Sequence, residues 1–141
     1  MTASTYNSYA ESCLRKTGNN PEVVNIYVQL VDTTVYTFNA THVFLADIPA
    51  LARVGDPGLL SNLRVDNGVF RADNLVLTPL TGTAHAAIIY EDTGVEATSP
   101  LMFYNDQSVD LPITGDGSPQ LLKWNDGEGE IFRFVRTAPP E

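Results

Sequence analysis

A chain of 141 residues has room for one domain and one core. Hydrophobic residues make up 43% of it and charged residues only 18%, with Thr, Asn, Gly, Ser and Pro filling the gap, which is the composition of strands and turns. Eight basic residues against 17 acidic ones give a net charge of -9, and a surface of that sign repels both nucleic acid and anionic membranes, so no direct contact with either is expected.

Residues 1–21 read as an N-terminal arm. They are rich in Ser, Thr and Asn and end in Gly18, Asn19, Asn20 and Pro21, a strong breaker cluster. Tyr6, Tyr9 and Leu14 are spaced for a short helical turn and are the candidate partner-docking residues of an otherwise polar, extended segment. The opening MTASTYNSYAESCLRK has no basic stretch followed by an apolar one, so no secretory leader is expected and synthesis in a cytoplasm is. Cys13 is the only cysteine, which excludes an intrachain disulfide and predicts a free, inert thiol.

The body is expected over residues 22–136. Residues 22–31 alternate, with Val24, Ile26, Val28 and Leu30 on one face and Val23, Asn25, Tyr27, Gln29 and Val31 on the other, the mark of a strand. Asp32, Thr33 and Thr34 predict a turn, and residues 35–38 a short second strand. Thr41 could cap a helix carrying Phe44, Leu45 and Ile48, kept by Pro49 to one or two turns, partly 3₁₀. Asn39, Ala40 and Thr41 match a glycosylation sequon by chance. Gly55, Asp56, Pro57 and Gly58 read as a loop.

The second half predicts short strands between turns. Residues 63–65 and 69–71 flank Asn67-Gly68, a strong hairpin signal. Residues 75–77 follow, Thr81-Gly82 turn, and residues 84–90 form an apolar, central strand. Residues 101–104 and a short edge piece at 109–111 come next, then a turn at Gly115, Asp116 and Gly117. Residues 121–124 are expected to pair across Asn125, Asp126 and Gly127 with residues 131–135, leaving 137–141 as a C-terminal tail. Eight or nine such strands predict a mostly β, single antiparallel domain, a sandwich, jelly roll or barrel, with one short helix.

Catalytic and metal-binding patterns do not assemble. His42 and His85 are the only imidazoles; the first reads as exposed and the second as structural, and neither has a nucleophile beside it. Two histidines and one cysteine make no zinc set. Asp126, Glu128 and Glu130 alternate as calcium ligands do, but miss the 12-residue loop pattern and read as a solvated turn. Glu91, Asp92, Asp106 and Asp110 lie in turns rather than across a sugar-binding cleft. No glycine-rich phosphate loop is present. No cofactor, metal or catalytic residue is therefore expected.

The body nevertheless resembles a known group. Residues 28–38 (VQLVDTTVYTF), 40–49 (ATHVFLADIP), 52–54 (ARV), 66–70 (DNGVF), Ala72-Asp73, 88–94 (IIYEDTG), 124–127 (WNDG) and Ile131-Phe132 look like small proteins encoded among the virion structural genes of tailed bacteriophages. The resemblance spans about residues 24–134 and attaches no catalytic residue to these motifs; the arm lies outside it. It implies a structural, non-enzymatic virion component, first of all a head decoration or cement protein on the capsid surface. Its partner would be the major capsid protein or another virion protein. The expected state is a homo-oligomer, with a trimer matching local threefold positions. The alternatives are a tail or connector adaptor or the base of a head fibre, or a carbohydrate-binding adhesion module using Tyr36, Tyr90, Phe103 and Tyr104 as its aromatic platform.

Overall fold

The structure, a computed structural model, describes residues 4–66, 69–77, 79–106, 111–124 and 130–133. A five-stranded antiparallel sheet forms the spine, built from β1 (Ser4–Thr5), β2 (Ile26–Val31), β3 (Arg53–Leu59), β8 (Ala86–Glu91) and β9 (Leu101–Asn105) in the order β1-β9-β8-β2-β3. The remaining strands are β4 (Arg64–Asp66), β5 (Val69–Arg71), β6 (Leu75–Leu77), β7 (Thr81–Ala84), β10 (Ile113–Asp116), β11 (Gln120–Leu122) and β12 (Glu130–Arg133). They form three small antiparallel sheets, β12-β5-β4, β11-β6 and β10-β7. One helix, α1 (Asn7–Arg15), lies between β1 and β2. The chain is thus mostly β and antiparallel with one helix, while the strand order establishes neither a jelly roll nor a barrel.

The spine is buried on both faces, which is why β2 and β8 are apolar at nearly every position. Ile26, Val28, Leu30, Ala87, Ile89 and Phe103 pack on one side against Phe70, Leu77, Ala84, Ile113, Leu122 and Trp124 of the small sheets and their loops. On the other side Val31, Ala86, Ile88, Tyr90, Leu101 and Tyr104 pack against Tyr36, Leu45, Ile48 and Ala52 from the connection between β2 and β3, and against Tyr6. Val28, Ile26, Ile88 and Ile89 are fully excluded from water, each contributing about 1.5–3 kcal/mol through burial.

Several local expectations change. The first strand begins at Ile26 rather than at residue 22. Residues 35–38 form no strand; the Tyr36 ring instead enters the second core, with Phe38 packed against it. The short helix is two 3₁₀ turns, Leu45–Asp47 and Ala50–Ala52. Thr41 does not cap it: the Asp47 carboxylate accepts the Val43 and Phe44 amides at 2.9 and 3.1 Å, while Thr41 is held in a turn by Asn39. Gly55, Asp56, Pro57 and Gly58 lie within β3. Val28 pairs with Gly58 and Leu30 with Val54, so residues 55–57 bulge out of register. A proline is admissible there because an edge or bulged strand leaves a position that needs no amide donor. The buried Gln29 amide fills the bulge, donating to the carbonyls of Leu30, Val54 and Gly55 at 3.0, 3.4 and 3.1 Å.

The expected strand over 84–90 is two strands divided at His85, where the chain passes from the β10-β7 ladder into the spine. Thr81-Gly82 and Gly115-Asp116 are not turns but face each other across that ladder. A side chain at Gly115 would collide with the Leu80 carbonyl, so the close approach requires glycine. Among the described residues the expected pairing of 121–124 with 131–135 does not form: β11 pairs with β6 and β12 with β5. Trp124 is tied instead to the connection between β5 and β6, its indole N–H donating to the Asp73 carbonyl at 3.1 Å and its backbone N–H to Asn74 Oδ1 at 3.2 Å. β4 and β5 do pair, Asp66 with Val69, although Asn67-Gly68 itself lies outside the described residues. So do residues 107–110, the Asn125–Gly127 turn with Glu128, and the tail at 137–141.

Candidate functional site

The three docking residues expected in the N-terminal segment take three different environments, and the segment is not an extended arm. Ser4 and Thr5 pair with Tyr104 and Phe103, adding β1 to the sheet edge. The Tyr6 backbone N–H continues the contact, donating to the Met102 carbonyl at 3.1 Å, and the Asn7 N–H donates to the Ala40 carbonyl at 2.8 Å. The Tyr6 side chain is then wholly buried in the second core, with its ring 5.1 Å from that of Phe38. A residue placed there holds its own body together and presents nothing outward. Tyr9 sits edge-on to Phe103 at 5.1 Å between ring centres. Leu14 is 85% exposed and remains free to meet a partner.

Tyr6 also heads a chain of polar contacts through the second core. Its hydroxyl lies 2.9 Å from the Tyr36 hydroxyl, which lies 3.0 Å from His42 Nδ1. With the imidazole neutral and protonated on Nε2, Tyr36 donates to Nδ1 and Tyr6 donates to Tyr36, so both buried hydroxyl protons are satisfied. Burial pushes the Tyr6 phenol far above its ordinary value, reinforced by the Tyr36 hydrogen bond, and raises Tyr36 as well. Such phenols stay neutral and act as bolts, not as acids or bases.

The helix α1 rides on the body with little of its own surface buried; none of its residues is fully enclosed. Cavities flank it. One of about 370 Å³ is largely apolar, walled by Tyr9, Val65, Val69, Phe70 and Phe103, with Cys13, Asn20, Pro21 and Glu22 also in its lining. A second, about 350 Å³, lies toward Ser8, Ser12, Glu91, Thr93 and Met102. Val65, 46% exposed, belongs to the first cavity, and exposed Leu14 and Val23 adjoin its lining residues Cys13 and Glu22 in sequence. Cys13 is exposed, and neighbouring Tyr9 is raised by burial and by that thiol.

The other chemistry-bearing groups are committed to structure. His85 Nδ1 accepts the Thr33 amide at 3.3 Å, which requires a lone pair on that nitrogen; the Asp32 carboxylate at 3.4 Å would favour a proton there instead. Asp32 is already saturated by the Thr34 amide and hydroxyl at 2.9 and 2.7 Å, which hold its carboxyl below the usual range. The amide contact therefore governs, and His85 is a corner post. Arg53 donates to the Leu45 and Ile48 carbonyls, both at 3.0 Å, and pairs with Glu96 at 2.9 Å, depressing that carboxyl. Among the described residues no three His, Cys, Asp or Glu side chains gather as a metal set; Asp126 and Glu128 fall outside them.

Tyr36, Tyr90, Phe103 and Tyr104 are each at most 5% exposed. They cannot form the aromatic platform that a carbohydrate-binding module requires, because both faces of the spine are covered. The surface groove beside α1 was missed in the sequence: Val65 comes from β4, Val69 and Phe70 from β5 and Phe103 from β9, and no local pattern links them to Tyr9. No family model matches the chain, and no curated protein matches it.

Proposed function

We propose that this chain is a non-enzymatic structural component of a tailed-phage particle, a decoration protein that binds the major capsid shell as an oligomer. The observation that favours a binding role is the groove beside α1: an apolar surface depression walled by Tyr9, Val69, Phe70, Phe103 and the half-exposed Val65, on a body whose imidazoles are tied into corners and bolts. The phage assignment rests on the sequence resemblance of residues 24–134. A ligand of the assembled shell stabilises it by shifting the assembly equilibrium, and repetition of one modest contact over a symmetric surface makes attachment durable. A net charge of -9 suits a position facing solvent, away from packaged nucleic acid.

The test is the chain's copy number in purified particles, measured against the major shell protein. Hundreds of copies support decoration. A count of about 6 or 12 would transfer the chain to a connector or tail adaptor ring, as cyclic closure demands. Absence from particles removes the proposal.

A further inference from the structure

The body contains a binding site whose ligand is already visible: its own residues 4–15. The site consists of the β9 edge, which receives Ser4 and Thr5; the socket at Tyr36 and Phe38, which receives Tyr6; and the Phe103 ring, which receives Tyr9. We infer that this site accepts the same segment from a second copy of the chain, so that neighbouring subunits exchange residues 4–15 and lock together. The inference goes beyond the capsid reading and stands or falls separately from it.

Three observations carry it. First, the segment is attached unevenly. One strand pairing of two residue pairs and the Tyr6 plug are specific, whereas none of the residues of α1 is fully enclosed and cavities of about 370 and 350 Å³ lie on its flanks. Once Tyr6 leaves its socket, little apolar packing holds the rest.

Second, the linker permits exchange. Residues 16–25 are polar apart from Pro21, Val23 and Val24 and contain Gly18. Residues 16–23 are tethered by exposed contacts, Asn19 to Glu91 at 2.7 Å and the Val65 N–H to Glu22 at 3.2 Å, while Val24 against the first core and the Asp92 N–H on the Asn25 carbonyl fix where the linker joins the body. Extended, ten residues reach about 33 Å, enough to carry the segment to an adjoining body.

Third, exchange costs almost nothing in contacts. Every bond made within one chain is remade between two, so the closed and exchanged forms differ only in linker conformation and in the entropy of association. Leaving the site empty is the unfavourable alternative, since it would strip the β9 edge and open the Tyr36 socket to water. High local concentration, as on any symmetric surface, therefore favours the exchanged form.

The Asn7–Ala40 backbone contact gives a direct test. Two differently tagged single variants, Asn7→Cys and Ala40→Cys, each also carrying Cys13→Ser, are mixed over a range of protein concentrations and then oxidised. Exchange brings the two engineered thiols together only between copies. The expected result is a disulfide-linked heterodimer whose yield rises with concentration, several-fold above that of Asn7→Cys mixed with Thr114→Cys on the exposed part of β10. The double variant Asn7→Cys/Ala40→Cys, oxidised in dilute solution, should close within one chain and lose the ability to exchange. Intrachain closure of the double variant, with no heterodimer above the control from the singles, overturns the inference. Light scattering of the unaltered chain is the second readout: a single-chain mass at every concentration overturns it whatever the cross-links give.

Discussion

On one face of the spine, Ile26, Val28, Leu30, Ala87 and Ile89 meet side chains delivered largely by short paired strands, whose backbone groups are bonded within their own ladders. On the other face, Val31, Ala86, Ile88 and Tyr90 meet irregular chain from residues 32–52, where no ladder exists to occupy amides and carbonyls. The first face needs shape and apolar area. The second needs polar side chains as well, because buried backbone groups must find partners. The Asp47 carboxylate accepts two amides, the Arg53 guanidinium donates to two carbonyls, and the tyrosine hydroxyls carry a chain to His42. The same sheet is thus dry on one side and bolted on the other, and the two sides should fail for different reasons.

The sharpest way to break this contrast is Trp124→Ala on the dry face. It empties a fully buried site and removes the indole bond to Asp73, for an expected loss of about 3–5 kcal/mol in urea unfolding. Alkaline titration is the next largest effect. Burial, with Asp92 and Asp106 nearby, pushes Tyr90 and Tyr104 up to about 12. Unfolded tyrosine ionises near about 10, so their contribution is complete below that value and disappears as pH rises toward about 12. Unfolding midpoints that fall across this window, in step with phenolate absorbance, are the expected outcome; unchanged midpoints with early ionisation would contradict it.

Arg53→Met tests the bolted face itself. Losing its bonds to the Leu45 and Ile48 carbonyls should cost about 2 kcal/mol, and hydrogen exchange should quicken over residues 45–52 before it quickens in β2 or β8. The smallest change is Tyr6→Phe, which keeps the ring and deletes one hydroxyl, for about 1 kcal/mol. A Tyr6→Phe loss equal to that of Trp124→Ala would erase the distinction between the two faces.

How much of this was legible depended on whether the determining partner was local. Alternation in residues 22–31 and the apolar run at 84–90 marked the two central strands, which the structure places at Ile26–Val31 and Ala86–Glu91, since β-branched and apolar residues fill strands buried on both faces. The Asn67-Gly68 signal correctly joined β4 to β5. Gln29 gave no sign of burial, because the carbonyls it satisfies belong to a bulge 25 residues away. Gly55 to Gly58 resembled a loop because the rule against proline in strands lapses at a bulged edge. Tyr6 and Tyr9 stood out as apolar rings in a polar segment, but the sequence held no means of telling an outside partner from the chain's own sheet. The groove needed three strands and a helix to assemble before it existed at all.

The corner at His85 has a mechanical consequence. β7 and β8 are separated by that one residue, so tension applied to the outer β10-β7 ladder arrives directly at the middle of the spine. There β8 is flanked on both sides, with six register pairs to β2 and four to β9. A pull along β8 must shear these rows together instead of unzipping them one at a time from an edge, which makes the domain a stiff link for load that enters through its smaller sheets.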